Sequence, residues 1–219
     1  MKSVHGVWHR PFQRRVKQWL LALLVLWLAC APALAAQTRS VLVLGDSLSA
    51  GYGLSAQQGW VALTAQRMKS THPGWRVVNG SISGETTAGG ATRIDSELAR
   101  VKPAVVVIAL GANDGLRGLS LAQTRANLDR MIGAARGAKA RVLLIGMRLP
   151  PNYGPEYTQG FERLFVELSK KHQTALLPFL LAPIATDRDA FQPDNLHPVA
   201  AAQPKLRDHV WKSLAPLLR

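Results

Sequence analysis

Short apolar segments recur along this chain, and each is followed by a cluster of Gly, Asn, Ser or Asp and then by a helix-like stretch. This alternation is typical of βαβ units, which build a parallel sheet between two layers of helices. The segment Ala104–Leu110 is continuously apolar and rich in β-branched residues, as a strand buried on both faces should be. We therefore predict an α/β fold with this segment near the centre of the sheet.

The periodicity of apolar residues gives the elements of this fold. The predicted strands are Ser40–Leu44, Arg76–Asn79, Ala104–Leu110, Arg141–Met147 and Ala175–Leu177. The predicted helices are Trp60–Ser70, Thr87–Val101, Leu121–Arg136, Glu156–His172 and Val199–Leu217. Helix Leu121–Arg136 has the most complete signature, with a capping box from Ser120 to Gln123, an apolar stripe and Gly137 as its stop.

Length and composition restrict the class of protein. A chain of 219 residues suits one domain, and a hydrophobic fraction of 47% with 18% charged residues excludes intrinsic disorder and low-complexity fibres. Cys30 is the single cysteine, so an intramolecular disulfide and a zinc site built on several cysteines are excluded. Stability must come from packing.

The amino terminus has the pattern of a secretory signal peptide. It is basic up to Lys17, apolar from Trp19 to Ala29, and offers Ala33-x-Ala35 as a cleavage site. The apolar run is 11 residues long, whereas a transmembrane helix needs about 20. We predict a signal peptide at 1–35, a single mature domain at 36–219 and a periplasmic or secreted protein. The alternatives are lipid attachment at Cys30 and an uncleaved anchor.

The positive charge is spread thinly over the predicted mature domain. Five basic residues lie in the first 35 positions, where there is no acid, so the formal charge of +14 falls to +9 for the rest. No Lys/Arg run exceeds a pair and no nucleic-acid-binding motif occurs, so we expect a solvated surface and no nucleic-acid partner. Weak contact with anionic lipid surfaces is the functional alternative.

Polar loops follow the predicted strands, at the edge of a parallel sheet where ligands bind. They are 45–49 (Gly-Asp-Ser-Leu-Ser), 79–86, 111–114 (Gly-Ala-Asn-Asp) and 193–198 (Pro-Asp-Asn-Leu-His-Pro). In the last loop, Asp194 lies three residues before His197, a spacing that allows a carboxylate to orient a general base. The alternative is a capping Asp beside a surface His, with Pro198 opening a helix.

A general base of this kind needs a nucleophile. Ser47 leaves the first predicted strand, and its backbone N–H can face an oxyanion if a helical turn follows. Ser49, Ser81 and Ser83 are rival hydroxyls. Gly84 either permits a tight turn or presents an N–H to an oxyanion, and Asn113 either closes its own turn or donates from its side chain. Their joint occurrence in separate loops at one edge favours the catalytic interpretation.

These residues resemble the four sequence blocks of the SGNH, or GDSL, hydrolases. Ser47, Gly84, Asn113 and His197 stand in family order across the predicted mature chain. The likeness is greatest to the secreted bacterial thioesterase, lysophospholipase and arylesterase branch. It extends through 45–52, 79–84, 113–118 and 148–154. Gly53 departs from this likeness at a position where relatives carry a side chain, which implies an altered wall around that position.

The resemblance implies a three-layer, flavodoxin-like α/β/α sandwich with five parallel strands in the order 2-1-3-4-5. It implies a serine hydrolase of acyl esters or thioesters that uses no cofactor and no metal. Ser47 would attack the acyl carbonyl, His197 would take the proton and later activate water, and Asp194 would orient His197. The oxyanion hole would consist of the Ser47 and Gly84 N–H groups and the Asn113 side chain.

The stretch 148–157 would follow the fourth strand at the same edge. We expect a substrate-binding wall or gating loop there, with Arg148, Pro150, Asn152 and Tyr153 as candidate contacts. The alternative is a proline-stiffened connection. The remaining histidines of the predicted domain have no carboxylate at the Asp194-like spacing, and we expect them at the surface. They are His72, His172 and His209.

Two competing functions belong to other classes. A nucleotide- or phosphate-binding module would use the turn 51–53 (Gly-Tyr-Gly), but the chain lacks the Walker lysine and the Gly-x-Gly-x-x-Gly spacing. Its second strand ends in Asn79-Gly80, where a ribose-binding acid is expected. A binding protein with a vestigial hydrolase site is the other alternative.

Overall fold

The computed structural model describes residues 38–219. The predicted signal peptide, its cleavage site and Cys30 lie outside the described residues. The five strands are β1 (Arg39–Gly45), β2 (Trp75–Asn79), β3 (Val105–Ala109), β4 (Arg141–Ile145) and β5 (Ala175–Leu177). They form one parallel sheet in the order β2-β1-β3-β4-β5. The fold expected from the sequence is confirmed.

Strand β3 lies at the centre of the sheet, as its composition predicts, and all five of its residues are buried. It pairs with β1 on one side, where Val43 faces Val107 and Gly45 faces Ala109. The order of the strands reverses between β1 and β3, since the chain runs from β1 out to β2 and then returns to the other side. In such sheets the crevice for a ligand opens at this reversal, beyond the carboxyl ends of the strands.

Helices cover both faces of the sheet. They are α1 (Ser47–Ala50), α2 (Trp60–Thr71), α3 (Thr87–Val101), α4 (Ala112–Leu116), α5 (Leu121–Gly137), α6 (Pro155–His172) and α7 (Gln203–Leu214). Helix α2 packs on α7, whereas α5 packs between α3 and α6, so the two sets form separate layers. No helix within residues 38–219 is long and apolar enough to cross a membrane.

Helix α5 has the predicted apolar stripe, with Leu128, Met131, Ile132 and Ala135 fully buried. Its predicted capping box is only half formed. The Gln123 N–H donates to Ser120 Oγ at 3.4 Å, but the Gln123 side chain donates to Asn127 instead of returning to Ser120. The predicted stop, Gly137, is the last residue of the helix.

Two predicted elements have ends that differ from the structure by two residues or more. Strand β4 ends at Ile145 and not at Met147: the Gly146 N–H still donates to Leu177 O at the end of β5, but the Gly146 carbonyl accepts from Leu180 N, beyond that strand. The last helix is α-helical only over Gln203–Leu214, with 3-10 turns at Ala200–Ala202 and Ala215–Leu217.

Pro198 does not open this helix. It lies in an isolated antiparallel bridge with Phe191. The helix begins at Gln203 instead, so Pro204 lies in its first turn. A proline is tolerated there because the N–H groups of a first turn have no acceptor within the helix.

Candidate active site

Ser47 begins α1 directly after β1. The preceding residue, Asp46, caps this short helix, because its Oδ1 accepts from the Leu48 N–H at 3.0 Å. The helix ends at Gly51, whose φ of +81° is a left-handed conformation, and the Gly51 N–H donates to Ser47 O at 3.1 Å. One turn of helix therefore holds Ser47 at the carboxyl edge of the sheet.

His197 joins Ser47 to Asp194 by hydrogen bonds at both ring nitrogens. Nε2 lies 2.8 Å from Ser47 Oγ, and Nδ1 lies 2.7 Å from Asp194 Oδ2. Asp194 Oδ1 accepts from the backbone N–H groups of Leu196 and His197 at 2.9 and 3.0 Å. The carboxylate thus fixes both its own loop and the orientation of the imidazole, while the other ring nitrogen faces the serine hydroxyl.

The pKa of Asp194 is lowered to about 2, because its carboxylate accepts hydrogen bonds from the His197 backbone, the His197 side chain and the Leu196 backbone. Asp194 therefore stays ionised at neutral pH. An ionised carboxylate at Nδ1 requires that nitrogen to carry the proton, which leaves Nε2 free to accept one from Ser47.

The rival serines do not contact the histidine. Ser49 Oγ and Ser81 Oγ are buried and make no hydrogen bond within residues 38–219. Ser83 is exposed. Among the four candidate hydroxyls, Ser47 is the one that is hydrogen bonded to His197.

Gly84 and Asn113 meet at one turn, as the strand order predicts. Gly84 has a φ of +79°, and its carbonyl accepts from Arg117 Nη2 at 3.1 Å. The Asn113 side chain does not close its own turn: Nδ2 donates to Glu85 O at 3.0 Å. Because the amide carries two N–H donors, the second is available to a ligand in the crevice.

Asp114 is a residue that the sequence interpretation missed. Its carboxylate is buried and accepts from the backbone N–H of Thr87 at 2.8 Å and from the hydroxyls of Thr87 and Thr124. These bonds tie α4 to the start of α3, and so they fix Asn113 relative to Gly84. The available signal was an acidic residue a few positions after the most apolar strand, since a carboxylate buried there needs several donors.

A mostly apolar cavity of about 260 Å³ opens next to these residues. Ala112 and Leu196, the neighbours of Asn113 and His197, form part of its wall, and Phe179, Leu181 and Phe191 contribute apolar side chains. The three residues that follow β5 were not predicted from the sequence. Phe179 and Leu181 had a signal, the apolar run 179–181 one residue after a strand that ends at the active edge, whereas Phe191 lies outside that run.

The predicted substrate loop is divided by the structure. Arg148 and Pro150 line the cavity, and Arg148 pairs with Glu162 on α6 at 3.2 Å. Asn152 and Tyr153 do not line it. Asn152 is exposed, and Tyr153 donates from its hydroxyl to Leu116 O at 2.8 Å, because a 3-10 turn over Pro151–Tyr153 directs the chain away from the cavity toward α4.

The other histidines, His72, His172 and His209, lie at the surface only in part, since all three are partly buried. His172 Nε2 lies 2.6 Å from Asp129 Oδ1, a carboxylate that the sequence spacing did not reveal because it comes from the neighbouring α5. His209 Nε2 lies 3.0 Å from Phe179 O. Neither is hydrogen bonded to Ser47.

Burial raises the pKa of Asp46 to about 6, against the opposing effects of the Leu48 N–H and of His197. The residue is 2% exposed. It borders a small cavity whose wall includes apolar side chains from the ends of β3 and β4, namely Ala109, Leu110, Ile145 and Met147. A carboxylate in these surroundings loses its hydration and gains little in return.

With the fold and the site described, comparison with known proteins identifies the family. The model of the GDSL-like lipase/acylhydrolase family matches residues 43–203, a range that contains Ser47, Gly84, Asn113 and His197. The chain belongs to this family. It is an ester hydrolase of the SGNH type.

Three relatives show how close the likeness is. Esterase TesA of Pseudomonas aeruginosa is 50% identical over 183 residues, which cover 84% of this chain and 91% of the relative. Thioesterase 1/protease 1/lysophospholipase L1 of Escherichia coli K12 is 39% identical over 203 residues, covering 93% and 95%. The crystal structure of AlinE4, an SGNH-hydrolase family esterase, matches with a TM-score of 0.69 at 36% identity, covering 83% and 97%.

The raised pKa of Asp46 generates a prediction about stability. Near pH 4 the carboxyl is protonated in the folded protein, whereas the unfolded chain already releases this proton around its ordinary pKa of 3.8. Between pH 4 and 6 the folded state therefore binds more protons than the unfolded state. The stabilisation that comes from this bound proton is lost as the pH rises through 6. Asp46→Asn keeps the helix cap and removes the charge.

We expect Asp46→Asn to raise the free energy of unfolding at pH 8 by up to about 3 kcal/mol relative to its effect near pH 4. Urea unfolding of both proteins at several pH values measures this difference. Asp95→Asn is the control, since Asp95 is an exposed acid on α3. An equal difference between wild type and Asp46→Asn at pH 4 and pH 8 would contradict the prediction.

Proposed function

We propose that this enzyme cleaves carboxylic ester and thioester bonds of acyl chains through a Ser47–His197–Asp194 triad and an acyl-enzyme. The hydrogen-bond chain from Ser47 Oγ through His197 to Asp194 is the observation that carries the proposal. It favours an active enzyme over a binding protein with a vestigial site, because every group of the chain has the geometry and charge that proton transfer requires.

The reaction begins with the attack of Ser47 Oγ on the acyl carbonyl carbon, as His197 Nε2 takes the hydroxyl proton. The carbonyl oxygen becomes an oxyanion, and the ring becomes an imidazolium that Asp194 stabilises at Nδ1. The imidazolium then protonates the leaving alcohol or thiol, and the acyl group remains on the serine. A water molecule then attacks the acyl carbon while His197 Nε2 takes its proton, and the imidazolium returns that proton to Ser47 Oγ as the bond between this oxygen and the acyl carbon breaks, which releases the acid and restores Ser47.

Three donors are available for the oxyanion. The backbone N–H groups of Ser47 and Gly84 donate to no acceptor within residues 38–219, and Asn113 keeps a second amide N–H beyond its bond to Glu85. Removing one donor of this kind typically costs about 10²–10³-fold in kcat, since the charge develops only in the transition state.

The cavity beside the site supports an acyl chain as the substrate group that it binds. Its wall is mostly apolar, and it begins at the neighbours of Asn113 and His197, so a chain attached to the reacting carbonyl enters it directly. Two relatives carry the names esterase and thioesterase/lysophospholipase. These names are consistent with substrates that share an acyl group and differ in the alcohol or thiol that leaves.

We predict that Ser47→Ala folds normally and loses activity on p-nitrophenyl butyrate by about 10³-fold or more, because triad members act as a unit. Purified proteins are compared by initial rate and by labelling with an alkyl phosphonate, which should modify wild type only. Ser49→Ala is the matched control, since it removes a buried hydroxyl that makes no hydrogen bond within residues 38–219. Activity in Ser47→Ala, or a label on Ser49, would refute the triad.

A second prediction concerns chain length. Ala185 is an exposed residue of the cavity wall, and Ala185→Phe should fill part of the space. Each buried methylene contributes about 0.8 kcal/mol, so kcat/KM for the octanoate ester should fall about tenfold or more while that for the butyrate ester changes less. Ala138→Phe, at the opposite edge of the sheet after α5, is the control. Equal losses for both esters would exclude this cavity as the acyl site.

We also propose that residues 1–35 are a cleaved signal peptide and that the mature enzyme is periplasmic or secreted. The basic segment, the 11-residue apolar run and Ala33-x-Ala35 support it. The intact mass of the exported protein should correspond to a chain starting near Ala36, without a thiol. A mass that retains the leader, or that carries lipid at Cys30, would contradict the proposal. Weak contact with anionic lipid stays a prediction.

A further inference from the structure

His197 lies on a loop that is held together by hydrogen bonds to the Gln192 backbone. The Gln192 backbone N–H donates to His197 O at 2.7 Å, and the Gln192 carbonyl accepts from the Asn195 N–H at 2.9 Å. Phe191 and Pro198 pair as an antiparallel bridge at its base. The loop is therefore a compact turn, but these bonds alone do not connect it to the segment that carries Ser47.

The Gln192 side chain makes that connection. Its Nε2 donates to Tyr52 O at 2.9 Å, and it also lies 3.3 Å from Pro198 O. Gly53 provides the space for this amide group: a Cβ at position 53 would lie 2.3 Å from Gln192 Oε1. The glycine that departs from the family pattern is thus the position against which the Gln192 side chain packs.

Tyr52 continues the connection to both members of the reacting pair. Its backbone N–H donates to Ser47 O at 3.1 Å. Its ring lies against the His197 imidazole, with 4.5 Å between the centroids and 38° between the planes. Tyr52 as a whole residue is 54% exposed, so it is not part of the hydrophobic core.

We propose that Gln192 and Tyr52 are positioning residues that hold the His197 imidazole over Ser47 Oγ. This inference rests on the proposed function and assigns it two further residues. Gln192 fixes the distance between the loop that carries His197 and the segment that carries Ser47. Tyr52 packs against one face of the imidazole and so keeps the His197 ring from turning away from Ser47. The rate in such sites depends strongly on where the catalytic groups lie, since a shift of about 1 Å lowers it by up to about 10²-fold.

The Tyr52 ring also has an electrostatic effect on the proton transfer. The face of an aromatic ring is attractive to a cation, so it favours the imidazolium that forms during the reaction. The other charged or titratable groups that act on His197 are Asp194 at Nδ1, Asp46 before α1 and Ser47 itself. Loss of the Tyr52 ring, with these three unchanged, should shift the acid limb of the pH–activity profile to lower pH.

The experiment compares Gln192→Leu and Tyr52→Leu with the conservative variant Tyr52→Phe. We expect each leucine variant to lower kcat about 10- to 100-fold with KM changed less than about threefold, since the groups act on placement and not on substrate binding. Tyr52→Phe should keep kcat and the acid limb. The double leucine variant should lose much less than the product of the single losses, because both act on one histidine.

Gln123→Leu is the matched control, since it removes an exposed side-chain hydrogen bond on α5. Thermal melting of each variant excludes general unfolding as the cause. The inference is overturned if the leucine variants keep wild-type kcat, if the change lies in KM alone, or if Tyr52→Phe loses as much as Tyr52→Leu. Wild-type rates in these variants together with an inactive Ser47→Ala would refute this inference and leave the triad intact.

Discussion

Parallel pairing of β1 with β3 is the constraint on which the whole site depends. Because Gly45 faces Ala109 in this register, the segments that follow the two strands emerge side by side at one edge. Ser47 begins the short helix after β1, and Asn113 lies in the short helix after β3. A slip of one residue would turn each side chain to the opposite face of the sheet and disrupt its packing on the helices, so the register fixes the distance between nucleophile and oxyanion donor.

The two buried aspartates of this edge are held in different ways. Asp114 accepts from a backbone N–H and from two threonine hydroxyls, so its bonds serve to lock α4 against α3. Asp46 caps α1 with a bond to Leu48 and is otherwise surrounded by apolar residues, which raise its pKa. Asp114 therefore holds two helices together, whereas the buried Asp46 lowers stability while it helps to hold Ser47 in place.

His197 has no such support from a regular element. The triad combines a serine on a helix with a histidine on a loop, and loops move more than the elements that they connect. The Gln192 amide and the Tyr52 ring lie between the segment that carries Ser47 and the loop that carries His197. They can therefore compensate for the greater mobility of that loop. Gly53 leaves the space that the Gln192 amide occupies, and its φ of +74° also favours glycine at this position.

The sequence by itself determined the sheet, its central strand and the four polar loops, because apolar periodicity and turn residues are local signals. It also named Ser47, Gly84, Asn113, Asp194 and His197, whose spacing resembles known blocks. The residues alone left Ser49 as a rival hydroxyl in the same turn, and only the resemblance favoured Ser47; the tertiary structure adds that Ser47 Oγ is hydrogen bonded to His197 and Ser49 Oγ is not. Asp129 beside His172, the cavity walls after β5, and Gln192 against Gly53 are contacts between distant segments. Such contacts depend on how the helices and loops pack in three dimensions, and no local pattern encodes that packing.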